Sequence, residues 1–543
     1  MIGSFGMRDS IVHTGSDQQT IYRLWAASGQ SALESSRILM LSSSATSTAI
    51  MKNLVLPGIG HFTLLDSTTV QPADAGNNFF LNGFLSVGKS RAEEALPLLN
   101  ELNDSVNGAA VVKSVEQVLE TEEGREWIRS FTLVIAHNPL KGTLETLSRL
   151  LWEDPANPPL MVVRSAGFLA DFYIQFHEHC IIEPHSETAP SLRLTKPFPA
   201  LQQWADSLDY KAVDPTEHAH IPFVVILIKE ADKWRAEHDG NFPKTSAEKD
   251  AFKARIRALQ LKLDEENFEE AEAQAVRLWR EVGVPSDISS LFSLSPLEDP
   301  PQAPSSQQAQ HSPSHSVAAN GVPRQQHNAI FHALLRTLEK FVADPEGSGC
   351  LPLTSTLPDM KTDTESYVKL QRLYKNRSRE ENARFKELLK VQYPDLQIDE
   401  SLVDLFVKNA HHIKLLRGKR WGAWEEDRAS VGSALEFMTR ETATHLALSA
   451  LSTLQSKGID VTVGALTAEI QQYVGLGVEL PGEVEVAVGE VARSPTADLP
   501  NTAAFLGGMI AQEAIKMITK QYVPVNGYCV VDLVDTWTGI VGQ

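Results

Sequence analysis

A phosphate-binding turn needs backbone amides aimed at an anion, and the stretch that could supply one here is Ser42-Ser43-Ser44-Ala45-Thr46-Ser47. It follows an apolar strand, Ile38–Leu41, and opens a helix. A second strand, Phe62–Leu65, ends in Asp66, where a ribose-binding carboxylate would sit. Such turns are normally glycine-rich, so that the backbone can approach phosphate at the helix N-terminus. This one has no glycine: Ser42, Ser44, Ala45 and Ser47 fill the cradle with side chains, and Asp66 is at most vestigial. Two readings stand side by side. One is a degenerate nucleotide fold kept for assembly; the other is an ordinary βαβ unit that never bound nucleotide.

Other side chains invite chemistry and are read more plainly. His177, His179 and His185 lie near Glu178 and Glu183, but they alternate along an extended segment and nothing completes a coordination shell. His218 and His220 read the same way, as face or capping residues, so no metal site is expected. The three cysteines, Cys180, Cys350 and Cys529, form no CxxC pair, which fits a reducing compartment rather than a disulfide framework. Cys350, in a Gly-Ser-Gly-Cys-Leu-Pro loop, is the one worth testing as a nucleophile; no catalytic residue is expected.

The elements that must position these groups follow from length and pattern. At 543 residues, two or three domains are expected. A net charge of −20 argues against a nucleic-acid binder. No apolar run approaches the roughly 20 residues that span a membrane, and residues 1–21 lack a signal-peptide core. A cytoplasmic or nuclear protein is expected.

In the βαβ unit, Ile50, Met51, Leu54 and Val55 form the sheet-covering face of the helix, and Pro57-Gly58-Ile59-Gly60 turns the chain. Ala92, Ala95, Leu96 and Leu99 mark an amphipathic helix. Strands are expected at Phe131–Ile135, at Leu160–Val163 and, half-exposed, at Phe172–Phe176. Residues 193–290 read as helical, with a charged helix pair over 247–281. Residues 296–327 are rich in Pro, Ser and Gln and read as a disordered insertion. Helix resumes over Ala329–Val342, and 376–455 read as helical. A basic patch there, Lys414, Arg417, Lys419 and Arg420, reads as solvated rather than as a dock for an acidic partner. Gly507-Gly508 permits close packing of a helix over Pro500–Lys516, and Tyr528–Asp532 reads as the final strand.

Several ordered motifs carry a resemblance: Arg23-Leu24-Trp25, Gly29-Gln30, Lys52-Asn53-Leu54-Val55-Leu56-Pro57-Gly58-Ile59-Gly60, Asp74-Ala75-Gly76-Asn77-Asn78-Phe79-Phe80-Leu81 and Pro500 to Lys516. They resemble the adenylation domain of the enzymes that activate ubiquitin-like proteins. Within that family the resemblance is to the regulatory, non-catalytic subunits of the NEDD-8 (Rub) activating enzymes. It implies a discontinuous, Rossmann-like α/β pseudo-adenylation domain of ThiF/MoeB type over 20–165 and 490–543. A mainly helical insertion over 166–489 would stand where catalytic members carry their cysteine domain, and 1–19 would be a tail.

The resemblance also implies what this chain lacks. A family arginine that reaches the partner's nucleotide falls on Thr20. The strand that should end in a Mg²⁺-holding aspartate runs into Ala136-His137-Asn138-Pro139, and the arginine and glutamine that handle ATP fall on Asn78 and Phe79. The implied partner is a catalytic subunit that binds ATP and Mg²⁺, with the NEDD-8/Rub modifier and the conjugating enzyme beyond it. Implied contacts are Lys52, Asn53, Pro57, Gly58, Gly60, Asn77, Asn78 and Phe80. More distally, they are Pro358, Asp359, Met360, Tyr367, Lys369, Leu370 and Gln371. The rival readings are the regulatory half of a SUMO-activating enzyme and a self-sufficient nucleotide-binding enzyme.

Overall fold

The computed structural model describes residues 28–184, 191–262, 265–296 and 324–543. The expectations for residues 1–27, including Thr20 and Arg23-Leu24-Trp25, for His185 and for most of 296–327 fall outside the described residues. The chain divides into two compact units. One holds the described residues up to Ile181, residues 324–328 and those from Lys414 onward; the other holds the described residues of Ile182–Ala303 and Ala329–Ile413. Residues 166–181 and 414–489, assigned to the insertion on sequence grounds, thus pack with the sheet.

The first unit is built on an eight-stranded sheet of order β10-β9-β6-β5-β4-β1-β2-β3. The strands are β1 (Arg37–Leu41), β2 (His61–Leu65), β3 (Asn107–Val111), β4 (Leu133–His137), β5 (Leu160–Ala166), β6 (Leu169–Gln175), β9 (Tyr528–Asp532) and β10 (Trp537–Val541). The first five run parallel, with Ile38 facing Phe62 on one side and Leu133 on the other. β6, β9 and β10 are antiparallel, so the last strand is β10 rather than Tyr528–Asp532.

Both faces of the sheet are covered, which is why β1 is a continuous apolar run. Ile38 and Met40 pack in one core with α1 (Ala45–Val55), α3 (Arg91–Asn100) and α11 (Pro500–Thr519). Short α2 (Pro72–Asn77) precedes α3. Leu39 and Leu41 pack in the opposite core with α4 (Lys141–Trp152) and a helical group near the C-terminus. That group is α7 (Arg428–Phe437), α8 (Thr439–Lys457), α9 (Val463–Val474) and α10 (Gly482–Arg493). Glycine matters where α1 meets α11: a Cβ on Gly507 would lie 2.8–2.9 Å from Ala49, whereas one on Gly508 meets nothing within 4 Å.

Two expectations are corrected. β6 is not half-exposed: all seven residues are buried, because its polar side chains have internal partners. Asp171 takes a two-pronged ion pair from Arg164 (2.5 and 2.8 Å) and lies 2.8 Å from His445 Nδ1; Gln175 bonds Ser148 and the Trp421 amide. Glu425 lies 2.8 Å from the other His445 nitrogen. Burial alone would lower the His445 pKa, but these two carboxylates outweigh it and raise it. Burial likewise opposes the charge on Asp171 and Glu425, yet Arg164 and His445 hold both below the usual carboxylate range.

Nor are residues 376–455 helical throughout. β8 (Lys414–Arg417) pairs antiparallel with β7 (Glu178–Ile181), and Arg417 is ion-paired to Glu178. Arg420 pairs with Glu426, and Lys419 Nζ reaches the Gln543 carbonyl, so much of the basic patch is spent inside its own unit.

In the second unit, α5 (Phe223–Glu237) is capped by Pro222 and buries a broad apolar face. It packs in one core with Leu370 and Tyr374 of α6 (Thr364–Gln392). The charged pair expected over 247–281 is two short helices, Ser246–Arg257 and Glu266–Gln274, and a single 3₁₀ turn.

Candidate functional site

The β1–α1 turn starts with a residue in an unusual conformation. Ser42 has φ of +131°, a region that favours glycine. A serine therefore holds a glycine-like bend, steadied by bonds from the Ser44 amide (3.2 Å) and Arg91 (3.4 Å) to its Oγ.

The amides that follow are committed to acceptors of the chain itself. The Ser43 N–H donates to Asp66 Oδ2 (2.7 Å) and the Ser47 N–H to the N-cap Ser44 Oγ (3.1 Å). The Thr46 N–H donates to Asp498 Oδ2 (3.1 Å), and Thr46 Oγ1 donates to Asp498 Oδ1 (2.6 Å). Thr48 N–H closes the first helical bond to the Ser44 carbonyl. A carboxylate from 452 residues away thus caps α1, where an incoming anion would otherwise be drawn.

Asp66 is equally occupied. Besides the Ser43 amide, Oδ2 accepts from Arg91 Nε (2.9 Å), while Oδ1 accepts the Thr68 N–H and hydroxyl (2.9 and 2.6 Å). Arg91 also reaches Asp74 at 3.4 Å. At the end of β4, His137 bridges Ser44 Oγ (2.7 Å) and Ser165 Oγ (2.9 Å). Burial pushes its pKa down, so the ring stays neutral. Asn78 is buried too: its Oδ1 accepts from Thr48 Oγ1 and the Phe80 amide, and its Nδ2 donates to the Ser43 carbonyl.

The expected contact residues differ in exposure. Lys52, Asn53, Pro57, Asn77 and Phe80 are half-buried, while Gly58 and Asn78 are buried. Gly58 sits at φ +89°, and a Cβ on Gly60 would fall 2.1 Å from the Glu34 carbonyl oxygen, so both glycines serve the bend itself. In the second unit Leu370 is in the core, Lys369 Nζ lies 4.1 Å from the Trp204 ring centre, and Tyr367 reaches the Pro358 carbonyl. Asp359 and Gln371 are exposed, and Pro358 and Met360 half-buried. Between α2 and α3, Phe79 of the family motif is 81% exposed, and two residues that the sequence reading missed, Phe84 and Leu85, are 76% and 79% exposed. A Phe-Leu pair between Gly83 and Ser86, outside any helical or strand period, was the available signal. Asp498 and Arg91 left no local signal, because their partners are remote in sequence.

The remaining candidates have structural work. His177 stacks on Trp152 at 3.7 Å, and His218 lies 3.0 Å from Glu265. Cys350 is buried with its Sγ toward the Val282 and Ser348 carbonyls, and burial pushes the Cys529 thiol up to about 12. Among the described residues no three His, Cys, Asp or Glu side chains gather as metal ligands would. No described helix is long and apolar enough to cross a membrane.

The mixed sheet and its βαβ entry define a Rossmann-like fold of ThiF type, and residues 16–137 match the ThiF family. Similarity to curated proteins runs nearly end to end. The chain is 34% identical to the NEDD8-activating enzyme E1 regulatory subunit of Xenopus laevis, covering 93% of this chain and 94% of that one. It is 32% identical to the Drosophila melanogaster subunit (95% and 94%) and 30% identical to the Arabidopsis thaliana regulatory subunit AXL (94% and 96%). The chain belongs to the family of NEDD8-activating enzyme E1 regulatory subunits.

Proposed function

We propose that this chain is the non-catalytic half of a heterodimer whose other subunit binds ATP and Mg²⁺, adenylates the NEDD-8/Rub modifier and carries it as a thioester. The observation that carries this reading is the committed turn. The Ser43, Ser44, Thr46 and Ser47 amides and Asp66 already have partners, and the Asp498 carboxylate caps the helix N-terminus that a phosphate would use. That donor set does not fit a phosphate, since the Asp498 carboxylate at the helix N-terminus would repel it. The resemblance expects a metal carboxylate at the end of β4, but Ala136-His137-Asn138-Pro139 carries none, and His137 is braced by two serines.

What the chain offers instead is surface. Phe79, Phe84 and Leu85 present large apolar side chains to solvent beside the closed turn, as a subunit contact does before its partner arrives. The distal segment Pro358–Gln371 and contact with the conjugating enzyme belong to the same reading. The test is a thioester assay with modifier and ATP, comparing this chain, the catalytic subunit and their mixture. Thioester on the partner, strongly stimulated in the mixture, is expected. A modifier thioester on this chain alone, or no stimulation, would overturn the proposal.

A further inference from the structure

Within the first unit, the β9–β10 hairpin, α10 and the start of α8 enclose a groove of about 860 Å³. It is independent of the closed turn and of the Phe84 surface, and no step of the proposed function uses it. Leu169 and Ala487 are buried in its floor, while Val486 is 73% and Val534 55% exposed. On α10, Gly482 and Gly489 lie one heptad apart on the same side as Val486, and a Cβ on either glycine meets nothing within 4 Å. The helix therefore presents bare backbone to whatever enters.

The charges of the groove are unbalanced. Five carboxylates line it against two guanidiniums. Both cations are already engaged: Arg493 pairs with Glu490 at 2.5 Å, and Arg440 lies 3.7 Å from Asp535 and over the Trp537 ring. Asp532 accepts the Val534 and Asp535 amides of its own turn. Glu483 and Glu485, both exposed, are left flanking the Gly482–Val486–Gly489 face of the helix, one on either side.

We propose that this groove docks a basic amphipathic segment of a partner protein. An apolar side chain would seat over Val486 and Trp537, and Lys or Arg residues would lie against Glu483 and Glu485. Charge decides against the other occupants. A second copy would bring an acidic surface, at −20 overall, to an acidic groove. Residues 1–27 carry two arginines against two aspartates, and 297–323 carry Glu298 and Asp299 with no Lys or Arg, so neither supplies the complement. An apolar floor with a charged rim is the pattern of helix-in-groove recognition.

The experiment uses the full chain and a labelled helical peptide of about 16 residues, roughly four turns. Leu occupies one face and Lys flanks it; a second peptide has Glu for every Lys. Binding is read by fluorescence anisotropy. G489W fills the groove where a side chain meets nothing, and E483K/E485K reverses the charges that flank it. E101K/D104K reverses two exposed acids outside the groove lining. The Lys peptide should bind, with affinity at least about tenfold weaker for both groove variants and unchanged for the control, a difference of about 1.4 kcal/mol. Equal loss in the control, no binding, or equal binding of the Glu peptide would overturn the proposal. Self-association abolished by G489W would overturn it in favour of a second copy. Should G489W fail to fold, E483K/E485K, at exposed positions, carries the test.

Discussion

Asp498 offers the sharpest test of the closed turn. Its carboxylate accepts two hydrogen bonds from Thr46, one of them from an amide in the first turn of α1. A hydrogen bond to a charged group is worth about 1.5–3 kcal/mol when buried, and a carboxylate at a helix N-terminus about 0.3–1 kcal/mol. Asp498 is only half-buried, so D498A should cost about 2 kcal/mol in all. At about 2–4 °C per kcal/mol for a large domain, Tm should fall by about 4–8 °C. D498N keeps an acceptor and loses the charge, and should cost about 0.5–1 kcal/mol. The assay is thermal unfolding with and without inorganic phosphate. In D498A the Thr46 amide and hydroxyl are released, so phosphate at about ten times its Kd should restore roughly 1.4 kcal/mol. The parent chain should not respond. A D498A protein as stable as its parent, or a parent stabilised by phosphate or ATP as much as D498A, would refute the reasoning.

Three further outcomes follow from the packing. G507A drives a methyl into Ala49 of α1 and should destabilise by about 1–3 kcal/mol, whereas G508A meets open space and should gain up to about 1 kcal/mol of helix propensity; paired denaturant titrations read both. The His445 pKa is raised, so its contribution is complete below about pH 6.5 and is lost as pH rises through its folded value. Asp171 and Glu425, held low, contribute above about pH 4 and lose on acidification, and His137, pushed down, opposes His445 by losing stability as pH falls below about 6.5. Stability measured from pH 6 to 9 should therefore fall on the alkaline side by at most about 1.4 kcal/mol per unit from His445, and H445Q should remove that slope. F84E/L85E should leave Tm unchanged and weaken association with the catalytic subunit by about 30-fold or more in calorimetry, since buried aromatic and leucine anchors are worth about 2 kcal/mol.

The legible parts of this fold were those whose cause is local. Strand β1, helix α1 and strand β2 follow from apolar period and a proline–glycine turn; both strands fall within a residue of their expected bounds, while the helix begins inside the stretch read as turn. Strand β6 misled because Gln175 looks solvent-facing until its buried partner Ser148 is in place. Strand β8 is four residues long, too short to stand out from the helices around it, and its Arg417 is spoken for by Glu178 across the ladder. Gly507 and Gly508 are adjacent in sequence but opposite in demand, since a helix turns one of them toward α1 and the other away. At the site, the missing glycines could be read directly. What replaced the ligand could not, because Asp498 and Thr46 meet only through the fold.

The two readings of the turn differ in what they require of Ser42. An ordinary βαβ connection has no need of a residue at φ +131°, and holding a serine there costs on the order of 1–3 kcal/mol. The bend is kept although the glycine that would make it easy is gone, and the surrounding bonds from Ser44 and Arg91 are what sustain it. That combination fits a turn inherited with a phosphate-binding shape and then filled. In a nucleotide-binding protein the ligand itself helps to order the amides of the turn and the start of the helix. Here Asp66 and Asp498 order the same amides without a ligand, and Gly507 fixes the helix behind them against α11. On the proposed reading this is an advantage for a subunit whose partner holds the ATP: α1 and the apolar loop beside it keep their shape through every stage of the partner's cycle, because nothing that binds or leaves during that cycle is part of what holds them.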